Sequence, residues 1–410
     1  MALESGHEHL ARIRPMLQEV VDRSLMAGAV AVIWRGGELA LAEAVGWRDV
    51  ATRAPMRMDT LFRIASMTKP VVSLAALMLM EEGRLRLEDP VKRWIPELAD
   101  RVVLRDPAGP LDDVTPAARD ITVEDLMTHR SGLSNSYNST GPIAQAYADR
   151  LGLALANPMA PDAWLGALGG LPLSYEPGAR FHYGASLDVL GFVLARLEGR
   201  PLGEILRRRI FEPLGMTDTN FWPAPDQQPR MARLYRTQFE PGPLQDISFP
   251  LPPAAHDFES GSGGLFSTPT DYLKFARLLL GRGEADGVRL VRAETVTRLS
   301  ANRLTPAQRE IPFPAVVGAW ESQGFGLGVS MVLEPERHPF PASAGSFGWP
   351  GAFGTWWIAD PGHDMALAYF AQDFLPLTYQ ELAQVESTRR PVRRALADFQ
   401  ALAYAALTDR

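Results

Sequence analysis

Apolar positions along the first thirty residues recur at helical spacing: Leu10, Ile13, Leu17, Val20, Val21 and Leu25 share one face. Pro15 either kinks this helix or opens its main part. Two apolar runs follow, 29–34 and 39–46, parted by Arg35-Gly36-Gly37-Glu38. That pattern predicts a β-hairpin with a glycine turn. Phe62-Arg63-Ile64-Ala65 then leads into a helix over 66–82. Positions 71–80 of that helix are apolar all round, save Ser73. A helix without a polar face belongs inside a core, and Gly83 is its natural stop.

Between about 95 and 260 the pattern changes to Pro/Gly-rich loops and short helices. Thr122-Val123-Glu124-Asp125 reads as a capped helix start. Further helices are expected over 186–197 and 202–210, and at best a short strand over 234–236. After Gly261 an amphipathic helix is expected over 270–280, capped at Thr268 or Thr270. Strands follow at 325–333, 354–359 and 365–371. Asp360-Pro361-Gly362-His363-Asp364 turns the last two into a hairpin. A final helix runs over 391–407. The expected class is α/β (α+β): residues 1–95 and 265–410 build one unit from both termini, and 96–264 form an inserted, mainly helical domain. No internal repeat or low-complexity tract is evident.

Composition narrows the function. The chain has 410 residues, 46% of them hydrophobic, enough for a large core. A net charge of −7 without a basic patch argues against nucleic acid or an anionic membrane as partner. The absence of cysteine removes disulfides, a thiol nucleophile and cysteine-bound zinc. The seven histidines show no H-E-x-x-H or similar spacing, so neither metal nor other cofactor is implied. No G-x-S-x-G elbow occurs. Gly324-Phe325-Gly326-Leu327-Gly328 lies in a strand-like run and is not a phosphate loop. The first residues lack a signal-peptide pattern, and no run of about 20 apolar residues occurs. A cytoplasmic protein is therefore expected.

One local pattern carries chemistry. Ser66-Met67-Thr68-Lys69 puts a serine and a lysine at i and i+3, on one side of a helix. A serine hydroxyl needs a base to take its proton. A lysine can serve only when neutral, which burial or nearby positive charge favours. The apolar helix supplies the buried setting, and its N-terminus favours negative charge developing at Ser66. Ser66 as a mere cap beside a solvated Lys69 is the plainer reading. It leaves unexplained why a lysine opens an almost wholly apolar helix. Lysine is also scarce: Lys69, Lys92 and Lys274 are the only ones, so a chance match is rare.

Leu61-Phe62-Arg63-Ile64-Ala65-Ser66-Met67-Thr68-Lys69 resembles the nucleophile segment of class C β-lactamases and of their esterase relatives, the family VIII carboxylesterases. Leu126-Met127-Thr128-His129-Arg130-Ser131-Gly132-Leu133 and Phe211-Glu212-Pro213-Leu214-Gly215-Met216-Thr217-Asp218-Thr219 resemble later segments of the same family, in order. The similarity runs from about Gly28 to Phe370. It implies a β-lactamase/transpeptidase-like fold: an antiparallel sheet flanked by helices, a helical domain, and an active site in the crevice between them.

The resemblance also implies site residues. Tyr183-Gly184-Ala185 matches the second catalytic motif, with Tyr183 sharing the proton with Lys69 and passing it to the leaving group. Alone, Tyr183 reads as a buried tyrosine with a satisfied hydroxyl. Trp349-Pro350-Gly351 matches the third motif. The strand carrying it is expected to present the Ala352 N–H which, with that of Ser66, forms an oxyanion hole. Pro350 has no N–H to offer. Trp349 and Gly351 are expected to line the substrate site. Tyr137 has two readings, a wall of the acyl pocket or an exposed loop residue. His129 reads as a structural histidine of its turn, and His182 as a neighbour of Tyr183.

Two departures from the β-lactamase pattern bear on substrate. Trp349 stands where those enzymes carry a lysine, so the cation that meets a penicillin carboxylate is missing. Ala185 replaces an amide that would bind an acylamino group. Both favour a neutral small-molecule ester hydrolysed through a Ser66 acyl-enzyme, with room for weak β-lactam hydrolysis. Acyl transfer to another acceptor and D-amino-peptide cleavage use the same Ser-Lys-Tyr site. A long-lived acyl-binding sensor is the alternative without turnover.

Overall fold

The computed structural model describes residues 5–152, 157, 159–251, 258–310, 319–375 and 390–407. The N-terminal apolar stripe forms two helices, α1 (Ser5–Ala11) and α2 (Ile13–Asp22). Pro15 lies in the first turn of α2, where a missing N–H breaks no helical bond. The buried face of α2 is Ile13, Leu17 and Val21.

Eight antiparallel strands make the main sheet. They are β1 (Gly28–Arg35), β2 (Glu38–Asp49), β3 (Ala54–Pro55), β4 (Gln323–Phe325), β5 (Ser330–Val332), β6 (Phe347–Gly348), β7 (Thr355–Asp360) and β8 (Met365–Phe370). Their order is β4-β5-β6-β7-β8-β1-β2-β3. Gly36 and Gly37, at φ of 58° and 85°, make the tight β1–β2 turn that positive φ at both positions allows. Val30 pairs with Phe370 where β1 meets β8, so the two ends of the chain are stitched together at the sheet's centre.

Side chains alternate across this centre with period two. Val30, Val32, Ala366, Ala368 and Phe370 face one layer. Ala29, Ala31, Ile33, Met365, Leu367 and Tyr369 face the other. Both faces are covered, which explains why these strands read as continuous apolar runs. α2 and the C-terminal helix Pro391–Ala405 cover the second face. The first face packs on α3 (Thr68–Glu81) and on Pro269–Leu280, within one apolar cluster that continues into the middle helices.

Two sequence expectations need correction, one cap is decided and one hairpin is added. The strand expected over 325–333 is two strands, β4 and β5. Gly328 at φ +88° turns the chain between them, and a Cβ there would strike Ser73 Oγ of α3. The helix expected over 202–210 becomes a π turn from Arg207 to Phe211. Of the two cap candidates, Thr268 is the one used: its hydroxyl accepts the Asp271 N–H at 3.2 Å. The middle segment also holds a small hairpin, Val102–Leu104 with Val114–Pro116, too short for periodicity to reveal. The capped helix start at Thr122 is present as a full capping box with Asp125.

Candidate active site

A strained turn delivers Ser66. Phe62–Arg63 pairs with Phe266–Ser267. The chain then swings through Ala65, buried and at φ +46°. That left-handed conformation costs a residue with a Cβ roughly 1–2 kcal/mol. A 3₁₀ turn, Ala65–Met67, follows, and α3 begins only at Thr68. Lys69, one turn along from Ser66, then lies on the same side of the chain as it.

Lys69 is 1% exposed. Its Nζ lies 3.2 Å from Ser66 Oγ and donates to the Ser262 carbonyl at 2.6 Å. It also sits 4.5 Å from the centre of the Tyr183 ring. Tyr183, 117 positions along the chain, donates its hydroxyl to Ser66 Oγ at 2.8 Å. Trp349 Nε1–H donates in turn to that tyrosine oxygen at 3.2 Å. Ser66 Oγ is therefore met by both groups able to move its proton.

Tyr183 is held from behind by the loop after Met127. His129, at φ +53°, packs tilted with its ring centre 4.3 Å from that of the tyrosine and accepts the Gly184 N–H at Nδ1, 3.4 Å away. Complete burial, with the Lys69 and His182 charges adding to it, pushes the His129 pKa well below the usual histidine range. Its role here is to pack against the tyrosine and to accept the Gly184 N–H. The Tyr183 carbonyl accepts from Asn138 Nδ2 at 2.5 Å and Asn135 Nδ2 at 3.2 Å. Gly184 has no room for a side chain: a Cβ would stand 2.6 Å from the Leu133 oxygen. His182 turns away, its Nε2 3.1 Å from Ser134 Oγ, and burial lowers its pKa to about 4.

The third motif lies in the turn after β6, not on a strand: β6 ends at Gly348. Pro350 explains this, since it cannot donate to a ladder. Trp349 is 2% exposed and packs edge-on to Phe325 at 5.0 Å. Phe181, Leu304 and Trp320 complete this apolar cluster around Tyr183. The expected substrate residue Trp349 thus stands behind Tyr183. Gly351 donates to the Thr355 carbonyl at 2.8 Å, and Thr355 Oγ1 donates to the Ile64 carbonyl at 3.2 Å. These bonds draw the turn against the strand leading to Ser66 and leave Ala352 exposed beside it. A Cβ on Gly351 would come within 2.4 Å of the Ile64 oxygen. Gly351→Ala is accordingly expected to cost about 1–3 kcal/mol from overpacking, read as a lower unfolding midpoint together with reduced turnover.

The chain matches the family model described as Beta-lactamase over residues 13–385. It belongs to the Beta-lactamase family. This Beta-lactamase family member is 44% identical over 374 residues to Protein Rv1367c of Mycobacterium tuberculosis, covering 90% of this chain and 91% of that one. It is 34% identical over 375 residues to Esterase EstB of Burkholderia gladioli, covering 85% and 87%. Among solved structures it resembles EstCE1, described as a hydrolase with promiscuous acyltransferase activity. There the TM-score is 0.76 at 24% identity, covering 96% of this chain and 99% of that one. The fold class expected from the sequence is the one these neighbours share.

Within this Beta-lactamase family site, several residues had no clear signal in the sequence. Ser262 lies 193 positions from the lysine it receives. Asn135 and Asn138 sit in an unpatterned loop, where Asn138 reads only as part of an Asn-Ser-Thr sequon. Tyr137, between them, is 38% exposed. Among the described residues no group of three or more His, Cys, Asp or Glu is placed to hold a metal, and no helix is long and apolar enough to cross a membrane.

Proposed function

We propose that this protein is a serine carboxylesterase of the family VIII type, acting on neutral small-molecule esters through a Ser66 acyl-enzyme. Ser66 Oγ attacks the ester carbonyl carbon while its proton passes to Lys69 Nζ. The oxyanion forms against the N–H groups of Ser66 and Ala352. When the tetrahedral adduct collapses, the C–O bond to the alcohol breaks, and Tyr183 delivers the proton the alcohol needs. Water then attacks the acyl-enzyme by the reverse route, releasing the acid and restoring Ser66.

One observation carries this reading: Ser66 Oγ lies within 3.2 Å of Lys69 Nζ and 2.8 Å of the Tyr183 hydroxyl. The relative named Esterase EstB supports esters as the substrate class. So does Trp349, which gives a substrate carboxylate no partner cation. The test is a panel of p-nitrophenyl esters of graded chain length, run beside nitrocefin. Ester turnover is expected to exceed nitrocefin turnover by on the order of 100-fold or more. Nitrocefin hydrolysis equal to the best ester would overturn the substrate class. A stable mass adduct without turnover would instead establish a sensor.

A second reading, transfer of the acyl group to an alcohol, is favoured by the fold shared with EstCE1 and that enzyme's described acyltransferase activity. Added alcohols would then divert product from acid to new ester.

A further inference from the structure

We propose that Asp188 is a positioning residue for Lys69, acting through the carbonyl of Ser262. The inference rests on the Ser66–Lys69 reading above.

Asp188 lies in the first turn of the helix Ser186–Glu198, five residues beyond Tyr183, and is 2% exposed. Its neighbours Leu187, Val189 and Leu190 are core residues. Packing alone would favour another aliphatic side chain there, because burying a carboxylate is costly unless it is paired or hydrogen-bonded. Its Oδ1 accepts the Ser260 hydroxyl at 2.6 Å and the Ser262 N–H at 3.0 Å. Ser262 then offers its carbonyl to Lys69 Nζ at 2.6 Å. The loop is pressed onto the helix at the intervening residue: a Cβ on Gly261 would stand 2.3 Å from the Leu187 oxygen.

The carboxylate therefore fixes Ser262 at its N–H, and Ser262 fixes the lysine head with its carbonyl. With one N–H so engaged, the remaining positions on Nζ are turned toward Ser66 and the Tyr183 ring. The same helix carries Tyr183 at its entrance, so Asp188 ties together the elements bearing both proton-handling groups. Charge adds to geometry. Among the described residues, the charged and titratable groups around Lys69 include Tyr183, the buried His129 and Asp188, with Tyr137 close to Tyr183 and Asp188. Burial raises the Asp188 pKa, while the serine donors and the Lys69 charge oppose that rise. As an anion, Asp188 favours the ammonium that forms when Lys69 takes the serine proton.

Asp188→Asn nearly preserves shape and removes the charge. Its acylation rate with p-nitrophenyl acetate, from stopped-flow bursts, is expected to fall about 10- to 100-fold, because a neutral Oδ1 holds the Ser260 and Ser262 donors more weakly and no longer offsets the charge on Lys69. KM should change little. The acid limb of the pH–rate profile should move to lower pH, because the negative charge beside the site is gone. A structural role would leave that limb in place. Parent-like acylation with an unmoved limb overturns the proposal. Should Asp188→Asn fail to fold, Ser260→Ala keeps the carboxylate but removes its 2.6 Å donor. A loss of roughly 3- to 10-fold in acylation is expected there, and a parent-like rate overturns the proposal instead. Ser66→Ala run in parallel separates the two claims. If it is inactive while Asp188→Asn behaves like the parent, only the positioning role falls; if it is active, the nucleophile assignment falls.

Discussion

Ser66→Ala is expected to lower turnover of p-nitrophenyl esters by on the order of 10³-fold or more. The substitution removes an atom that both Lys69 Nζ and the Tyr183 hydroxyl approach, at 3.2 Å and 2.8 Å. Without Oγ no acyl-enzyme can form, and only the oxyanion donors and the binding surface remain to assist water. The fold should survive, because Ser66 is not a core side chain and alanine suits the start of a helix. Unfolding midpoints of parent and variant should therefore agree within a few degrees. The deciding measurement is turnover together with mass spectrometry after a slow ester: the parent gains the acyl mass on the peptide containing Ser66 and the variant gains none. Near-full turnover by a folded variant would remove Ser66 from the mechanism.

Why some of this site was legible in the sequence and some was not follows from distance along the chain. Ser66 and Lys69 are neighbours on one turn, so their spacing alone brings them together. The buried helix behind them was equally plain, since an unbroken apolar run has no other place to go. Tyr183 and Trp349 meet only because the fold closes over 166 positions between them. Their motifs became readable through family resemblance, not through any local pattern. Asp188 and Ser262 act by one side chain and one backbone carbonyl, and a backbone carbonyl leaves no mark in a sequence.

The fold divides in the same way. Strands β1, β7 and β8 announced themselves because both their faces are buried. β4, β5 and β6 are two or three residues long, and glycine and proline mark their ends more clearly than periodicity marks their middles. The burial of Trp349 is the most consequential difference. Its side chain was expected to line the substrate site. In the structure it backs Tyr183 and donates to the tyrosine oxygen. On the proposed mechanism its effect on substrate choice is partly indirect: it takes away a cation, and it holds the hydroxyl that is proposed to reach the leaving group.

Tyr183→Phe tests that last point and is expected to lower kcat by about 10²- to 10⁴-fold, the usual worth of a general acid–base group. The variant keeps the ring, and with it the packing against His129 at 4.3 Å and the face presented to Lys69 at 4.5 Å. What disappears is the hydroxyl that donates to Ser66 Oγ and accepts from Trp349 Nε1. If that hydroxyl protonates the departing alcohol, the defect must depend on the alcohol. Nitrophenolate leaves readily as an anion, whereas methoxide or ethoxide needs a proton as the C–O bond breaks. The loss should therefore be larger for alkyl esters than for p-nitrophenyl esters of the same acid. Equal losses for both would mean that Tyr183 only shapes the site. Trp349→Phe gives the complementary case: the hydroxyl stays but loses its indole donor, so a smaller loss with the same dependence on leaving group is expected.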